Sequence, residues 1–526
     1  MSKFKVFATR LVVGTVALAA LIITTRSARS YDAAQPQNRP LELMQQAHSL
    51  STGLSPLERT YALLFMLKNG EGIISESQYR QWCSEVGQQA RLISDGWDRV
   101  AHEKNSLLCL SKIDPLAALH QYSTIEDPQS QVDGTFPEDV RADGAMTVFP
   151  RAWNSQVTIP AKFAVLRDIE AEALRIGRTG EYPYEAMAGI IEAILATQAD
   201  EATDKAEKIF RDALHSYREE PHKFINRDEE FKRFLETTKD KIADRALLAE
   251  AAQVFVDKVL HSPKDMDYVS EIHTPKGTAR FTDDKAELLF QEFPTVEKLA
   301  PALAAGLKRQ NPELNKAVES MDKPITGGYV ALDKDARAMQ QIHSKVWQTN
   351  IVMRIPPAED PNFTAARLNE ALTSVAGLSD EAIRIQGYCA LVPHLLAKSR
   401  QAEAQQIYEG ERSRLEGLPS QDDHLKATVA LAKASQAIGD RPGFIDLTNT
   451  ALREGTLLFQ QDSRLRPEWP PTGRRGFRDL TALVSFTAPQ ISETLHPQIE
   501  HIEDPGLKAD LLSFEARALK DAQTSK

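Results

Sequence analysis

The stretch of sequence that decides the fold lies at residues 401–454 and reads QAEAQQIYEGERSRLEGLPSQDDHLKATVALAKASQAIGDRPGFIDLTNTALRE. Apolar residues recur along it every three or four positions, which is the spacing of one face of an α-helix. Gly439 stands where a helix can end in the left-handed conformation, and Pro442 stands where the next helix can begin. The stretch therefore predicts three consecutive helices joined by very short turns. Their limits are 400–415, 421–438 and 442–458. One face of the first helix is marked by Ala404, Ile407, Tyr408, Glu411 and Leu415. One face of the second helix is marked by Ala427, Leu431, Ala434 and Ile438.

Helical periodicity also dominates the sequence on both sides of this stretch. Residues 126–160 look irregular instead, because several prolines and glycines interrupt them. Residues 262–329 are also rich in proline and glycine, and they predict short helices between loops, with one small hairpin near residues 325–332. The other predicted helices are 55–69, 78–92, 97–110, 115–122, 161–176, 181–197, 200–217, 221–238, 241–261, 333–350, 361–375 and 380–397.

These patterns divide the chain into five segments. A signal peptide or membrane anchor is predicted at residues 1–30, followed by a polar linker at 31–40. An N-terminal helical domain at 41–261 precedes a junction with short helices at 262–356. A C-terminal helical-repeat domain is predicted at 357–526.

An Asp-Pro motif recurs at predicted helix starts. Ile-Glu-Asp-Pro occurs at 125–128 and 502–505, Ala-Glu-Asp-Pro at 358–361, and Lys-Ile-Asp-Pro at 112–115. An aspartate at this position accepts free backbone N–H groups, and a proline after it has no N–H to leave unsatisfied. Good caps can recur by chance in any all-helical protein. The short turns and alanine-rich faces favour the alternative, which is a series of degenerate helical hairpins stacked on one another.

Three features of residues 401–454 together resemble tetratricopeptide-type helical hairpins. They are Ala404-x-x-Ile407-Tyr408, the run 431–440 and the later pair Ala451-Leu452. The sustained period of about 34 residues and the Trp-x-x-Leu-Gly signature of that family are missing. The resemblance implies antiparallel helix pairs that form a superhelix and an expectation of peptide or protein binding, but it transfers no ligand-contacting residue. We therefore predict an all-α fold of stacked antiparallel helical hairpins, an α-solenoid or superhelix in two halves.

The N-terminus carries the pattern of an export signal. Three basic residues precede Leu11–Thr25, a stretch of fifteen uncharged and mostly apolar residues, and small residues follow at 28–30. A helix of this length rises about 22 Å, which is short for a bilayer core of about 30 Å. Cleavage before Tyr31 is therefore favoured over a retained membrane anchor, and both are favoured over a buried helix of a cytosolic protein. A membrane contact is expected only through residues 11–25, if the signal is not cleaved.

The charge balance argues against nucleic acid as a partner. The chain has a formal net charge of −11, and residues 1–30 hold five basic residues and no acidic one, so the remainder carries −16. A chain of this charge repels phosphate backbones, and it has no basic stripe with interleaved aromatic residues. Solvated acidic helix faces are the simpler interpretation of this charge, and an acidic recognition surface is the alternative.

Three cysteines do not make a disulfide framework in a chain of this size. Cys83 and Cys109 lie on neighbouring predicted helices and could pair, although two reduced, buried thiols are at least as good an interpretation. Cys389 would be left over on an apolar helix face. Since no Cys-x-x-Cys occurs, a thiol-redox motif and a structural zinc site are not indicated.

The histidines give no metal-binding pattern. His102 is followed by Glu103, but no second histidine comes four residues after it, as a zinc-protease helix requires. Cys389 and His394 are five residues apart, and so are His496 and His501, which does not place two ligands on one helical face. The sequence therefore predicts no metal, no cofactor and no catalytic residue. The glycine motifs of phosphate-binding loops and dinucleotide sites and the nucleophile elbow are also missing.

Four other features have structural interpretations that outweigh functional ones. Lys323–Gly328 is interpreted as a tight turn and Lys264–Arg280 as a loop. Pro393 should kink the helix or end it near Val392, most simply as a turn between two short helices. An arginine cluster surrounds Trp469 and could dock an anionic partner, but pairing with neighbouring acidic residues is the simpler reading. The cluster comprises Arg464, Arg466, Arg474, Arg475 and Arg478, and its candidate partners are Asp462, Glu468 and Asp479.

The predicted function is that of an exported, non-catalytic scaffold, periplasmic or extracellular, that binds protein or peptide partners. One alternative is an exported all-α enzyme acting on carbohydrate or cell-wall polymer, which would need two facing carboxylates in a cleft. Another is a membrane-tethered accessory subunit held by residues 11–25.

Overall fold

A computed structural model describes residues 38–125, 139–219, 227–261, 270–274, 277–281, 284–319, 336–466 and 469–525. The predicted signal or anchor at Leu11–Thr25, the tight turn at Lys323–Gly328 and the hairpin near 325–332 lie outside the described residues. None of the helices in the described ranges is long and apolar enough to cross a bilayer.

The described chain is built almost entirely of helices. In the first half they are α1 (Arg39–Ser51), α2 (Pro56–Asn69), α3 (Glu76–Ala90), α4 (Gly96–Leu110), α5 (Pro115–Tyr122), α6 (Val140–Asn154), α7 (Ile159–Thr179), α8 (Tyr184–Leu195), α9 (Ala202–Glu219), α10 (Arg227–Thr238) and α11 (Arg245–His261). In the second half they are α12 (Asp284–Leu299), α13 (Pro301–Gln310), α14 (Pro312–Glu319), α15 (Ala336–Met353), α16 (Ala365–Ala376), α17 (Glu381–Ala397), α18 (Gln401–Arg414), α19 (Gln421–Ile438), α20 (Arg441–Leu465), α21 (Phe477–Glu500) and α22 (Pro505–Thr524). The predicted all-α fold of stacked antiparallel helical hairpins, an α-solenoid, is confirmed.

Within the described residues, the Asp-Pro motif starts helices at two sites and not at a third, and Asp127 lies outside the described residues. The Asp114 carboxylate accepts a hydrogen bond from the Ala117 N–H at 3.0 Å, and Asp504 accepts from the Leu507 N–H at 2.9 Å. Asp360 instead accepts from the Asn362 N–H, and α16 begins only after Thr364. The predicted helix start at residue 361 is therefore wrong, because a local turn uses the aspartate and Thr364 caps the helix.

Neighbouring helices contact one another in a continuous series. From α15 the contacts run through α17, α19, α20 and α21 to α22, and then pass to α2. They continue through α3, α4, α6, α8, α10 and α11 to α12. The first and last helices therefore meet inside the series, while α15 and α12 stand at its two ends.

The helices at the two chain termini pack closely together, and we call this contact of α1 and α2 with α21 and α22 the terminal seam. Phe65 of α2 packs against Phe477 of α21 and Phe514 of α22, with ring centroids 5.3 and 5.9 Å apart. Through the seam, residues 41–261 contact residues 357–526 directly. The limits of the predicted domains themselves stay a prediction.

Helix α6 lies within a segment that was predicted to be irregular, so that prediction is wrong. Gly144 lies inside α6 and close to α5, because a Cβ at this position would lie only 2.4 Å from the Tyr122 hydroxyl. Val148, Phe149 and Trp153 are buried on the same helix. Tertiary packing of this apolar face therefore outweighs the local cost of Gly144 and of Pro150 inside the helix.

Pro393 does not end its helix, contrary to the predicted turn between two short helices. Helix α17 continues through it to Ala397, and Leu391, Val392 and Leu395 are all fully buried. A break does occur in α21, where Ile491 leaves helical geometry two residues after Pro489.

Residues 270–274 and 277–280, predicted as part of a loop, instead lie in two paired antiparallel strands. Strand β1 (Ser270–Thr274) pairs with β2 (Gly277–Phe281), with Ser270 opposite Phe281 and Thr274 opposite Gly277. Phe281 is buried and packs against Phe290 of α12, with ring centroids 5.1 Å apart. The hairpin is thus fixed to the helices by its apolar end.

Candidate functional site

The main candidate site is an acidic pocket of about 160 Å³ formed by residues from α6, α8, α10 and the segment before α8. Helix α8 contacts both α6 and α10, so the three helices form one wall. We call it the acidic pocket, and its lining residues are Asp139, Ala142, Asp143, Met146, Glu181, Tyr182, Pro183, Tyr184, Glu185, Glu230 and Arg233.

Two carboxylates of the acidic pocket hold the backbone around it. Asp139 caps α6 by accepting the Arg141 N–H at 2.9 Å, and its carboxylate binds the Arg141 guanidinium at 2.6 Å, with both side chains fully buried. The Glu181 N–H donates to Asp139 at 3.2 Å, and the Asp139 N–H donates to Glu181 at 3.1 Å. Gly180 is required beside them, because a Cβ there would lie 2.0 Å from Asp139 Oδ2.

Aromatic rings support the pocket from within the core. Tyr182 and Tyr184 are both about 1% exposed, and their ring centroids lie 5.2 Å apart. Tyr184 also packs edge-on against Phe231 of α10 at 5.5 Å, and Phe231 stacks on Tyr217 of α9 at 3.9 Å. This packing leaves the wall little freedom to rearrange, so the pocket is preformed.

The rim of the acidic pocket is what a ligand would meet. Glu185 is exposed on the first turn of α8, and its carboxylate makes no hydrogen bond or ion pair with any described residue. Glu230 binds Arg233 at 3.2 Å, and Asp143 binds Lys104 at 2.5 Å. Met146 is 41% exposed beside them. Carboxylates next to an apolar thioether suit a lysine or arginine side chain, whose stem is apolar and whose head is cationic.

The described residues contain no group of three or more histidine, cysteine, aspartate or glutamate side chains arranged to hold a metal ion.

A second pocket, of about 220 Å³, lies between the start of α19 and the middle of α20. The His424 imidazole binds the Glu454 carboxylate at 2.9 Å on one side, and Leu457 is 48% exposed on the other. The lining residues are Leu418, Pro419, Ser420, Gln421, His424, Glu454, Leu457 and Leu458.

His496 belongs to a polar network between α21 and α22 that is centred on the buried Glu515. The Ser492 hydroxyl donates to Glu515 at 2.7 Å, and His496 Nδ1 bonds to the other Glu515 oxygen at 3.0 Å. The carboxylate thus stands between the hydroxyl and the imidazole, so His496 is not placed to take the Ser492 proton as a general base does. His501, the other member of the sequence pair, bonds to the Pro497 carbonyl instead.

The remaining sequence candidates are buried. Burial lowers the pKa of His102 to about 4, and Tyr61 packs edge-on against its ring at 4.7 Å. His394 Nε2 donates to the Pro356 carbonyl at 2.8 Å. Burial raises the pKa of the Cys389 thiol, and the nearby Glu411 raises it further. Each of these three side chains is therefore part of the packed core.

The arginine cluster is divided among three kinds of contact. Arg475 pairs with Asp462 at 2.7 Å, as predicted. Arg466 stacks over the Trp469 ring at 4.0 Å. Arg474 is buried and reaches Glu58 of α2 at 3.4 Å, which the sequence did not predict because the two residues are far apart in the chain. Glu468 lies outside the described residues.

One pair of carboxyl groups had no sequence signal at all. Glu292 of α12 is fully buried, and burial raises its pKa to about 9, with Glu236 of α10 raising it further. Both Glu292 carboxyl oxygens are buried and make no hydrogen bond with a described residue. Only the packing of α10 on α12 brings Glu236 and Glu292 together, so periodicity could not have found them.

No protein-family model matches the chain, and no curated protein is significantly similar to it in sequence.

Proposed function

We propose that the mature chain is an exported, non-catalytic helical-repeat scaffold of tetratricopeptide-like architecture that binds protein or peptide partners. The continuous helix contacts support this proposal, because stacked helices offer a long surface for an extended partner. The resemblance of residues 401–454 supports it as well, since α18, α19 and α20 form there with short connections.

The observation that carries the proposal is the acidic pocket. Its carboxylates come from α6, α8, α10 and the residues just before α6 and α8, and α8 contacts both α6 and α10. The aromatic rings that support it are already packed. The exposed Glu185 and Met146 lie at its surface. A partner segment with a lysine or arginine matches both this pocket and the net negative charge of the chain.

Fluorescence anisotropy with a labelled peptide of mixed sequence bearing lysine and arginine tests this proposal. A second peptide, in which glutamate replaces each basic residue, is the comparison. We expect saturable binding of the basic peptide only, weakened by added salt. Equal binding of the two peptides, or of neither, contradicts the proposal.

The variant Glu185→Gln/Glu230→Gln locates the binding. It should weaken binding of the basic peptide by about tenfold, or about 1.4 kcal/mol, if both carboxylates face the ligand. Glu370→Gln removes one exposed carboxylate from α16, away from the acidic pocket, and should leave the affinity unchanged. Equal losses in the two variants would show that only net charge matters.

Export is the second part of the proposal, and it depends on the predicted signal at residues 1–30. N-terminal sequencing of the mature protein tests it. Tyr31 at the N-terminus supports release into a periplasmic or extracellular space, whereas Met1 or Ser2 supports a chain held to the membrane by residues 11–25.

A further inference from the structure

Two of the three cysteines lie on the adjacent helices α3 and α4. Cys83 of α3 is 1% exposed, and Cys109 of α4 is half-buried. Both thiols are free. The two helices form an antiparallel pair joined by the short turn at residues 91–95.

The register of this helix pair brings the two thiols together. The Ser106 hydroxyl of α4 donates to the Cys83 carbonyl of α3 at 2.6 Å. A Cβ on Gly87 would lie 3.0 Å from the same hydroxyl, so Ser106 faces the turn between Cys83 and Gly87. Because the two helices run in opposite directions, a residue one turn earlier on α3 lies beside a residue one turn later on α4. That step leads from Gly87 to Cys83 and from Ser106 to Cys109.

The surroundings shift the pKa values of the two thiols in opposite directions. A hydrogen bond to Cys109 and burial raise the pKa of the Cys83 thiol. The pKa of the Cys109 thiol is lowered by its hydrogen bond with Cys83; burial opposes this shift, and the positive charge of Lys112 adds to it. As a residue, Cys109 is half-buried, whereas Cys83 is 1% exposed. Cys109 is therefore the better nucleophile, and Cys83 is placed to react second.

We propose that Cys83 and Cys109 form a reversible dithiol–disulfide site that reacts with small-molecule disulfides. The Cys109 thiolate attacks one sulfur of the disulfide R–S–S–R, forming a Cys109–S–S–R bond and releasing RS⁻. Cys83 then loses its proton to RS⁻ and attacks the Cys109 sulfur, which forms the Cys83–Cys109 bond and releases the second RS⁻. Two protein thiols are oxidised, and one R–S–S–R is reduced to two thiols. This site is independent of the proposed binding function.

Cys389 provides an internal control, because it lies alone on α17 and is almost completely buried. Each unit of pKa changes the thiolate fraction about tenfold at a pH below the pKa. We therefore expect the folded protein's Cys109 to be alkylated at least about tenfold faster than Cys389.

Incubation of the folded mature chain with glutathione disulfide, followed by alkylation and peptide mass mapping, tests the proposal. We expect the wild type to lose two alkylatable thiols and to yield a peptide in which Cys83 and Cys109 are joined. Dithiothreitol should restore both thiols. A chain that keeps all three thiols, or that joins any other pair of cysteines, overturns the proposal.

Two variants test the order of the steps. Cys83→Ser should stop at the first step and carry glutathione on Cys109, whereas Cys389→Ser should form the disulfide as the wild type does. If a variant is poorly folded, the wild-type peptide map still decides whether the two cysteines join. A Cys109 that holds glutathione permanently in the wild type contradicts the second step.

Discussion

The terminal seam and the C-terminal hairpins of residues 401–454 are both made of packed helices, but different side chains stabilise them. On α19 the contact face consists of small and medium apolar residues, and Ala427, Leu431 and Ala434 are fully buried. At the seam, buried polar groups cross between the two ends of the chain. The Asn69 amide donates to the Ser513 hydroxyl at 3.0 Å, for example.

The difference teaches how each contact is specified. An alanine-rich face packs against the next helix because that helix follows at once, and a short turn fixes the register. The seam joins helices that are separated by hundreds of residues, so sequence proximity cannot choose the partner. We infer that polar pairs such as Asn69 with Ser513 and Arg474 with Glu58 select the correct faces, since a wrong pairing leaves buried groups unsatisfied.

The strongest way to break this comparison is to remove α22. A chain that ends at residue 501 loses Leu507, Leu511 and Leu512, all fully buried, and uncovers α1, α2 and α21. We expect these three side chains alone to account for a loss of about 4.5–9 kcal/mol, because each contributes about 1.5–3 kcal/mol. Circular dichroism and urea unfolding should show reduced helix content in both halves of the chain.

The control for this truncation removes only residues 525 and 526, and it should unfold like the wild type. A chain ending at residue 501 that unfolds with the wild-type midpoint would mean that the seam contributes little to stability.

The same substitution at two buried leucines tests the difference between the terminal seam and the C-terminal hairpins. Leu512→Ala in the seam and Leu431→Ala in the hairpins should each cost about 2–5 kcal/mol, because both side chains are fully buried. Hydrogen exchange should separate them. Leu512→Ala should lower protection in α1 and α2 as well as in α22, whereas Leu431→Ala should act mainly on α17, α19 and α20. Identical exchange patterns would contradict the distinction between the two regions.

The seam should also respond to pH through Asp510. Complete burial raises the pKa of its carboxyl group well above the usual value, and the nearby Asp504 raises it further, so the folded chain keeps a proton that the unfolded chain loses above about pH 4. The stability from this group is therefore complete at low pH and is lost as the pH rises, by about 1.4 kcal/mol per pH unit.

Asp510→Asn tests this dependence, because the amide cannot ionise. The advantage of the variant in unfolding free energy should grow between pH 5 and pH 7 when measured by urea unfolding. Glu370→Gln on α16 is the matched control and should show no such gain. A constant difference between wild type and Asp510→Asn would mean that Asp510 ionises normally in the folded chain.

The smallest expected effect concerns the helix caps. Asp504→Ala removes the oxygen that accepts the Leu507 N–H at 2.9 Å, and Ser420→Ala removes the cap of α19. Each should cost about 1 kcal/mol in urea unfolding. Asp360→Ala should cost less, since that aspartate does not start a helix. An equal loss at Asp360 would contradict the reassigned start of α16.

Local sequence features predicted the helices well wherever the face was apolar and a cap was present. The limits of α19 at 421 and 438 and of α5 at 115 and 122 are the predicted ones. The predictions failed at α6 and at Pro393, where burial of neighbouring apolar residues outweighs the preference of glycine and proline for breaks. They also missed the hairpin at 270–281, which lacks a long alternating apolar pattern.

The acidic pocket was beyond sequence prediction for a different reason. Its carboxylates come from residues 139–143, 181–185 and 230, and acidic residues are common on solvated helix faces throughout the chain. Nothing in the sequence distinguishes Glu185 from Glu370. Only the packing of α8 between α6 and α10 brings these side chains together.

By itself, the sequence determined that this chain is helical and that its helices follow one another as short-turned hairpins, because periodicity and caps act within a few residues. The tertiary structure decided which distant faces meet: α1 and α2 with α21 and α22, Glu236 with Glu292, and the carboxylates of the acidic pocket with one another. The physical reason is that side chains far apart in the chain interact only after the helices between them have packed. Burial and pKa are therefore properties of the folded chain and not of its local sequence.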